Sequence, residues 1–329
     1  MSTGSPASPD TAAAAAAAGR TRELLHAPLL PTLLRLATPN VIGLFATTVV
    51  IGYDGYILGR LGADALAGVA LVFPLSMLML QMSNGGMGGA VASSVARALG
   101  AGRNDEARRL VPQALLIATV LALLFTALLL GLGRQLFTAM GGSGAALEAA
   151  LAYSNVLFAG ALAIWVPTIL SAVVRGTGNM VLPSLLLSGT AIIHLGLCPL
   201  LVFGWGPLQG LGVAGAAIST LSTSLLSGGV LAVHLLRGKG QLRLRGTAWD
   251  LRPDLLRTIL RVGVPASISP VLSNGAIAAA TALIGSYGTA ALAGYGVAAR
   301  LEYIMVPIAF GFGTALTTLV ATNMGAGQR

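Results

Sequence analysis

The sequence predicts an all-α polytopic membrane protein of two parallel six-helix repeats, the first complete and the second cut after two helices. Three observations predict this fold class: composition, long uncharged apolar runs and an internal repeat. Hydrophobic residues make up 55% of the 329 residues and charged residues only 9%, whereas a soluble domain carries about 25% charged residues. Residues 110–132 carry no charge, and about 20 such residues cross a bilayer.

The internal repeat is visible in two short segments. Ala-Leu-Ala-Gly at 65–68 returns at 291–294, an offset of 226 positions. Leu-Gly-Ala-Gly at 99–102 returns as Met-Gly-Ala-Gly at 324–327, at an offset of 225. A membrane protein built from two similar halves usually places its substrate path between them, so the repeat points to transport.

The first copy contains six predicted spans, so the chain ends that copy on the side of the membrane where it began. The two copies therefore have the same orientation and form a parallel repeat, related by an axis along the membrane normal. Residues 104 to about 237 have no counterpart after Arg329. The repeat thus predicts four further spans, and we expect this chain to be a C-terminally truncated fragment.

Eight spans are predicted in order along the chain, separated by glycine-rich turns. They are called spans one to eight and lie at roughly 30–58, 65–98, 108–138, 146–174, 180–203, 211–236, 254–284 and 290–322. The predicted regions are a disordered cytoplasmic tail (1–28), a first lobe of six transmembrane helices (29–237), a basic cytoplasmic linker (238–253) and the start of a second lobe with two transmembrane helices (254–329).

The placement of positive charge predicts the orientation. With the N-terminus inside, sixteen of the 19 Lys and Arg residues fall in inner segments and two in outer loops. Because cytoplasmic loops carry the excess of Lys and Arg, we predict a multi-pass protein of the plasma (inner) membrane with a cytoplasmic N-terminus. The net charge of +9 flanks apolar spans and forms no single patch with aromatic residues, which argues against nucleic acid as a partner.

The residue types in this chain exclude several kinds of site. Cys198 is the only cysteine, so no intrachain disulfide framework is possible, and with three scattered histidines it cannot build a zinc cluster. An intramembrane protease needs a paired nucleophile and base, or two span aspartates. Asp54 has no evident partner in the sequence, and no serine has a convincing base. We therefore predict no enzyme, no metal and no cofactor.

Asp54 is the clearest ionisable group at membrane depth. Fifteen residues separate it from Pro39, about 22 Å along a helix, so it lies in the outer half of span one. A carboxylate there is costly unless it is hydrated, paired or protonated, which suits a group that binds and releases protons. The alternative is an interfacial aspartate that reaches headgroup water near Arg60.

Further candidates lie in other spans. His194 and Cys198 are four residues apart and share a face of span five, where histidine is suited to a proton relay or to hydrogen-bonded packing. Pro39 matches Pro265 in the repeat and removes a helical hydrogen bond, which predicts a kink and a possible hinge. The candidates for a cavity wall, each with core packing or ion pairing as the alternative, are Gln81, Asn84, Met82, Tyr53, Asn179, Arg300, Glu302 and Tyr303.

The assembled motifs resemble one family. The order Asp-Gly-Tyr-Ile-Leu-Gly-Arg-Leu-Gly at 54–62, Ala-Arg-Ala-Leu-Gly-Ala-Gly at 96–102, Val-Val-Arg-Gly-Thr-Gly-Asn at 173–179 and Arg-Leu-Glu-Tyr-Ile-Met-Val-Pro at 300–307 is similar to that of the multidrug and toxic compound extrusion (MATE) transporters. The sequence of span eight looks most like that of the DinF-like branch. The resemblance covers roughly residues 30–329.

The resemblance implies twelve spans in two lobes and export of organic cations or other amphipathic compounds by alternating access, driven by an H+ or Na+ gradient. It implies that Asp54 matches the acidic residue of span one that takes part in cation coupling, and that Pro39 matches the proline at which that span bends. The family often has Asn-x-x-x-Asp-Pro in span five, where this chain has His194, Cys198 and Pro199. We therefore favour H+ over Na+, coupled through Asp54 with help from His194.

Two other functions stay open beside the exporter. One is a lipid-linked saccharide flippase of the same superfamily, which a cationic cavity able to hold pyrophosphate would favour. Arg300 is the only mid-span arginine that the predicted spans contain, which argues against it. The other is a fragment that does not transport. The expected partners are a small-molecule substrate and the lipid bilayer, and the expected oligomeric state is a monomer.

Overall fold

The protein is described by a computed structural model. The structure describes residues 19–206, 208–237, 242, 244, 250–285 and 289–328. Within these ranges it describes the side chains of all residues except 208, 275, 277–282, 284–285 and 289–304. All statements below refer to this part of the chain.

The described chain is almost entirely helical. The spans are Leu29–Gly59, Ala63–Gly100, Asn104–Ala139, the pair Gly144–Ala159 and Leu162–Gly176, Val181–Phe203, Val213–Arg237, Pro253–Gly285 and Thr289–Gly325. Seven helices in the described residues are long and apolar enough to cross a membrane, and the two helices of span four, bent by 49°, together make an eighth candidate. The all-α membrane class predicted from composition is confirmed.

One short ladder interrupts this helical order. Gly204–Trp205 pairs antiparallel with Leu208–Gln209 at the turn between spans five and six. Gly204 has φ 81° and Gly206 has φ 57°, a region that side chains with a Cβ rarely enter. The sequence marked this turn by its glycines but did not predict the ladder.

Span one packs against span five and span eight, while span two contacts spans four, seven and eight. Span six packs against spans four and five. The largest apolar core is formed mainly by spans two, three and four and contains the fully buried side chains of Trp165, Phe137 and Phe158.

The sequence repeat corresponds to a reciprocal helix crossing. A Cβ on Gly100 would lie 2.0 Å from the carbonyl oxygen of Thr322, and a Cβ on Gly325 would lie 2.1 Å from that of Arg97. Positions 97 and 322, and positions 100 and 325, are related by the same offset of 225. Each copy therefore contributes the glycine against which the other copy packs, as two-fold related helices do. Such close backbone approach supplies much of helix association in lipid.

Span two contains a π-helical segment, Met82–Met87, between Ala63–Gln81 and Gly88–Gly100. Within it, a Cβ on Gly86 would lie 3.0 Å from the Cα of Ser267 in span seven. Adjacent glycines allow the helix to widen and to approach its neighbour here. The sequence predicts close packing of these glycines or a flexible break; the structure shows close packing in a continuous, wider turn.

Two predicted regions differ from the structure. Residues 19–26 are helical, whereas 1–28 was predicted to be a disordered tail; Leu24 is buried beside Leu36 and Met180. Arg35 binds Glu23 at 2.5 Å, and this hydrogen bond lowers the pKa of the Glu23 carboxyl. Residues 1–18 lie outside the described residues.

The predicted basic linker, 238–253, is described only at 242, 244 and 250–253. Leu242 and Leu244 are buried in the main core, and Asp250 binds Arg109 of span three at 3.2 Å. These residues therefore pack on the protein, because the linker carries leucines that can be buried as well as charges.

Candidate functional site

Asp54 lies in a cluster that joins spans one and five. Its Oδ1 is 2.8 Å from Nε2 of His194 and 3.4 Å from Sγ of Cys198. The side chain of His194 is 3% exposed and that of Asp54 is 20% exposed. The sequence named these three residues as the cation-coupling candidates, and the structure brings them into direct contact.

The local sequence explains why these side chains meet. His194 and Cys198 are separated by one helical turn, so both face span one. Spans one and five approach closely because Gly43 has no side chain; a Cβ there would lie 3.2 Å from the Cα of Ser184. The interfacial alternative for Asp54 is therefore disfavoured, since its carboxylate is turned toward a neighbouring helix.

Ser219 of span six extends this network. Its Oγ is 3.0 Å from Nδ1 of His194, and Ser219 itself has 0% exposure. The sequence did not identify Ser219, and the statement that no serine has a convincing base does not hold for its contact with His194. Because Ser219 is fully buried, its hydroxyl is placed to hold the imidazole and not to attack a substrate.

The hydrogen-bond donors and acceptors of this network are compatible with two states of His194. With His194 neutral, Nε2–H donates to Asp54 and Nδ1 accepts from the Ser219 hydroxyl. With His194 protonated, both ring nitrogens donate, to Asp54 and to the oxygen of Ser219.

The donor atoms of Asp54, His194 and Cys198 lie within 4.8 Å of one another, so they are near enough to face one cation. Sodium is a hard cation that prefers oxygen ligands, whereas two of these three donors are nitrogen and sulfur. The set therefore suits a proton better than Na+.

A cavity of about 520 Å³ opens beside this network, with Asp54 and His194 on its wall. Its volume is within the range of small-molecule sites. Span six contributes a polar stripe to the wall, and span two contributes an apolar surface. The polar stripe is Thr220, Thr223, Ser224 and Ser227, and the apolar residues include Phe73, Met77, Met79 and Leu80. The i, i+3, i+4, i+7 spacing of the stripe was the sequence signal for this wall.

A second cavity of about 470 Å³ lies between spans two, four and eight. Asn84 and Arg175 belong to the walls of both cavities. Arg175 was predicted to lie in a cytoplasmic turn, yet it is 4% exposed and is the penultimate residue of helix Leu162–Gly176. Arg300 is therefore not the only arginine inside the bundle, because the helix of span four continues two residues further than predicted, to Gly176.

Of the predicted cavity-wall candidates, Asn84 lines both cavities. Gln81, Met82 and Tyr53 are not among the residues that line either cavity in the described part. Met82 packs against the main core, and Tyr53 packs near Ile57, Leu58 and Cys198. The wider π-helical turn that begins at Met82 changes which side chains share a face, so Gln81 and Asn84 do not form one wall.

Asn179 is also not a lining residue of either cavity. Its Oδ1 accepts a hydrogen bond from the backbone N–H of Leu182 at 3.2 Å, where the first amides of a helix lack intrahelical partners. Asn179 therefore satisfies one of the first backbone amides of span five.

The side chains of Arg300, Glu302 and Tyr303 lie outside the described residues, and their proposed roles stay predictions. Pro39 lies inside the continuous helix Leu29–Gly59. A hinge at Pro39 likewise stays a prediction.

Known proteins match this chain over most of its length. The MatE family model matches residues 39–200 and 265–329. The FAD transporter of Shewanella oneidensis is 29% identical over 312 residues, covering 93% of this chain and 67% of that protein. The probable multidrug resistance protein NorM of Deinococcus radiodurans is 30% identical over 304 residues, covering 91% and 65%. The chain thus spans about two thirds of the length of these relatives.

Solved structures show the same fold. A MATE transporter crystallised in a bent conformation superposes with a TM-score of 0.86 at 26% identity, covering 93% of this chain and 68% of that one. A transporter of the MOP superfamily from Pyrococcus furiosus, whose binding pocket is described as having reverse polarity, gives a TM-score of 0.85 at 26% identity, covering 92% and 67%.

The DinF-like branch stays a prediction, because these matches do not separate branches. The family itself is shown by the matched model, by relatives along more than nine-tenths of the chain and by the shared fold. This chain is a multi-pass membrane protein that belongs to the MatE family of transporters.

Proposed function

We propose that this protein is a secondary active antiporter that exports small amphipathic or cationic compounds by alternating access, coupled to proton entry through Asp54. The observation that carries the proposal is the hydrogen-bonded network of Asp54, His194 and Ser219 on the wall of a 520 Å³ cavity. A group that holds a proton thereby lies beside the space for a substrate.

Coupling requires that proton and substrate act on the same element. Asp54 is partly exposed to the cavity, while His194 is buried behind it. A substrate in the cavity would change the polarity around the carboxylate, and a proton on the network would remove the charge that attracts a cationic group. Proton binding and substrate binding are then mutually unfavourable, as antiport needs.

The proposed direction of transport rests on the orientation predicted from Lys and Arg. With a cytoplasmic N-terminus, Asp54 lies toward the outer side of span one. Protons would reach it from outside, and substrate would leave on that side.

The test compares proton-driven substrate uptake into inverted membrane vesicles for the protein and its Asp54→Asn variant. We expect the variant to lose pH-driven uptake while it still binds substrate. Asp64→Asn is the matched control, because Asp64 is exposed at the start of span two. Unchanged uptake and resistance in Asp54→Asn would overturn the proposal.

A further inference from the structure

Arg175 is a buried cation for which the structure shows no counter-ion. Within the described part of the chain it is the one arginine or lysine that is buried, at 4% exposure. None of the ion pairs between described residues includes it. Its guanidinium donates to two neutral oxygens, Oδ1 of Asn84 at 2.7 Å and Oγ of Ser171 at 3.2 Å.

Burying an arginine with neutral partners alone leaves part of its desolvation cost uncompensated, and an anion placed against it offsets that cost. Guanidinium carries five N–H donors in a planar fork that matches carboxylate and phosphate. The two bonds to Asn84 and Ser171 leave other donors of Arg175 for a ligand. Asn84, with its oxygen bound to Arg175, keeps its own N–H donors for the same ligand.

The position of this pair is accessible to a solute. Arg175 and Asn84 line both the 520 Å³ and the 470 Å³ cavity, so they form part of the wall between them. The carboxylate in the described wall of the first cavity, Asp54, is already engaged by His194 and Cys198. Elsewhere the wall of the first cavity is apolar, for example at Met77, Leu80 and Ile164.

We infer that Arg175 and Asn84 form an anion-recognition position in the cavity, and that the exported compounds include amphipathic molecules with a carboxylate or phosphate group. The inference rests on the proposed function, because it assigns a substrate class to the same cavity. The apolar walls hold the body of such a molecule, and Arg175 with Asn84 holds its anionic end.

The test measures binding by titration calorimetry in phosphatidylcholine nanodiscs. The probes are 1-naphthyl phosphate and uncharged 1-methoxynaphthalene. We expect the phosphate to bind about tenfold more tightly, the scale of one charge-assisted bidentate contact. Arg175→Gln should remove this preference and leave the affinity for methoxynaphthalene unchanged, whereas Arg175→Lys should keep part of it.

Asn84→Asp provides a second variant that does not depend on removing the arginine. It places a carboxylate within hydrogen-bonding distance of Arg175, so the site gains an internal counter-ion and the preference for phosphate should vanish. Arg134→Gln is the control for net charge, since Arg134 is exposed and pairs with Glu148. This variant should keep the full preference for phosphate.

Equal affinity of the two probes for the unmodified protein would overturn the inference, as would an unchanged preference in both Arg175→Gln and Asn84→Asp. Competition by phosphatidic acid in the nanodisc, or by soluble phenyl phosphate, identifies a lipid or a solute as the source of the anion; displacement by neither contradicts the inference. This binding experiment needs no proton gradient. Failure of the proposed proton coupling and failure of the proposed anion recognition would therefore be seen in separate experiments.

Discussion

In the proposed coupling network, His194 contributes an imidazole whose Nε2 lies 2.8 Å from the carboxylate of Asp54. We predict that His194→Asn, which keeps an N–H donor for Asp54, lowers the maximal rate of proton-driven uptake. The reason is that a side-chain amide, unlike an imidazole, cannot take up a proton. The measurement is the initial rate of uptake into inverted vesicles at a fixed pH gradient.

His26→Asn is the control, because His26 is exposed in the helical residues 19–26. The two variants change the same residue type, and only His194 contacts Asp54. An uptake rate of His194→Asn equal to that of the unmodified protein would show that His194 only packs beside Asp54.

Cys198 is expected to contribute less than His194. Its thiol is a weak donor, and its Sγ is 3.4 Å from Asp54, compared with 2.8 Å for the imidazole nitrogen. We predict that Cys198→Ala keeps the transport rate within about twofold, since a neutral weak hydrogen bond contributes little. A loss as large as that of Asp54→Asn would place Cys198 at the centre of coupling.

At the scale of single residues, the sequence identifies functional candidates when a residue is unusual for its surroundings. Asp54 stands out because a carboxylate inside an apolar span is costly, and His194 with Cys198 because their spacing puts them on one helix face. Ser219 could not be predicted, since the role of a buried serine depends on the residue that it contacts in the neighbouring helix, here His194. Arg175 was placed outside the bundle because sequence counting cannot tell an arginine at a helix end from one in a loop.

The π-helical segment is the element whose shape matters most to the site, since Asn84 lies within it. We predict that Gly86→Ala destabilises the protein by about 1–3 kcal/mol, the usual cost of overpacking, because the added methyl group would meet the backbone of Ser267. Gly89→Ala is the matched control, as a Cβ there has nothing within 4 Å. Thermal unfolding in detergent measures both variants.

If Gly86→Ala and Gly89→Ala unfold at the same temperature, spans two and seven are not packed as described. The comparison is sensitive because the two glycines lie in one helix and are three residues apart. Any general effect of replacing glycine by alanine in a helix applies to both.

Helices were largely predictable as elements, since apolar runs of sufficient length and glycine-rich breaks define each span. The π-helical turn was not, because adjacent glycines favour several backbone conformations and the contact with span seven selects among them. The helical residues 19–26 were missed because their leucines look isolated in a polar tail, and only the fold supplies the surface that buries Leu24.

At the scale of the whole molecule, the described parts of the two repeats cross at Gly100 and Gly325, where a Cβ on either glycine would overlap a carbonyl oxygen of the other span. We predict that Gly100→Ala or Gly325→Ala separates these helix ends, because each methyl group would overlap a carbonyl oxygen. Cross-linking measures this separation. Cysteines are introduced by Asn40→Cys and Thr314→Cys in a Cys198→Ala background, because Asn40 and Thr314 are hydrogen-bonded across spans one and eight. The yield of the disulfide between them should fall in either alanine variant.

Gly131→Ala in span three serves as control, because a Cβ there meets nothing within 4 Å. Equal cross-linking in Gly100→Ala, Gly325→Ala and Gly131→Ala would contradict the reciprocal crossing. The architecture itself was predictable, since repeated motifs at offsets of 226 and 225 predicted two similarly oriented copies before any contact was known. The two cavities were not, because their walls combine residues from spans far apart in the sequence.

Competition between a proton and a substrate at Asp54 is the central claim, and proton release on substrate binding tests it most directly. Calorimetric titration of one transported organic cation, in buffers of different ionisation enthalpy, gives the number of protons released per substrate bound. We predict release of about one proton from the unmodified protein, as linkage requires of two ligands that exclude each other, and none from Asp54→Asn. Equal release from both proteins, or none from the unmodified protein, would contradict the claim.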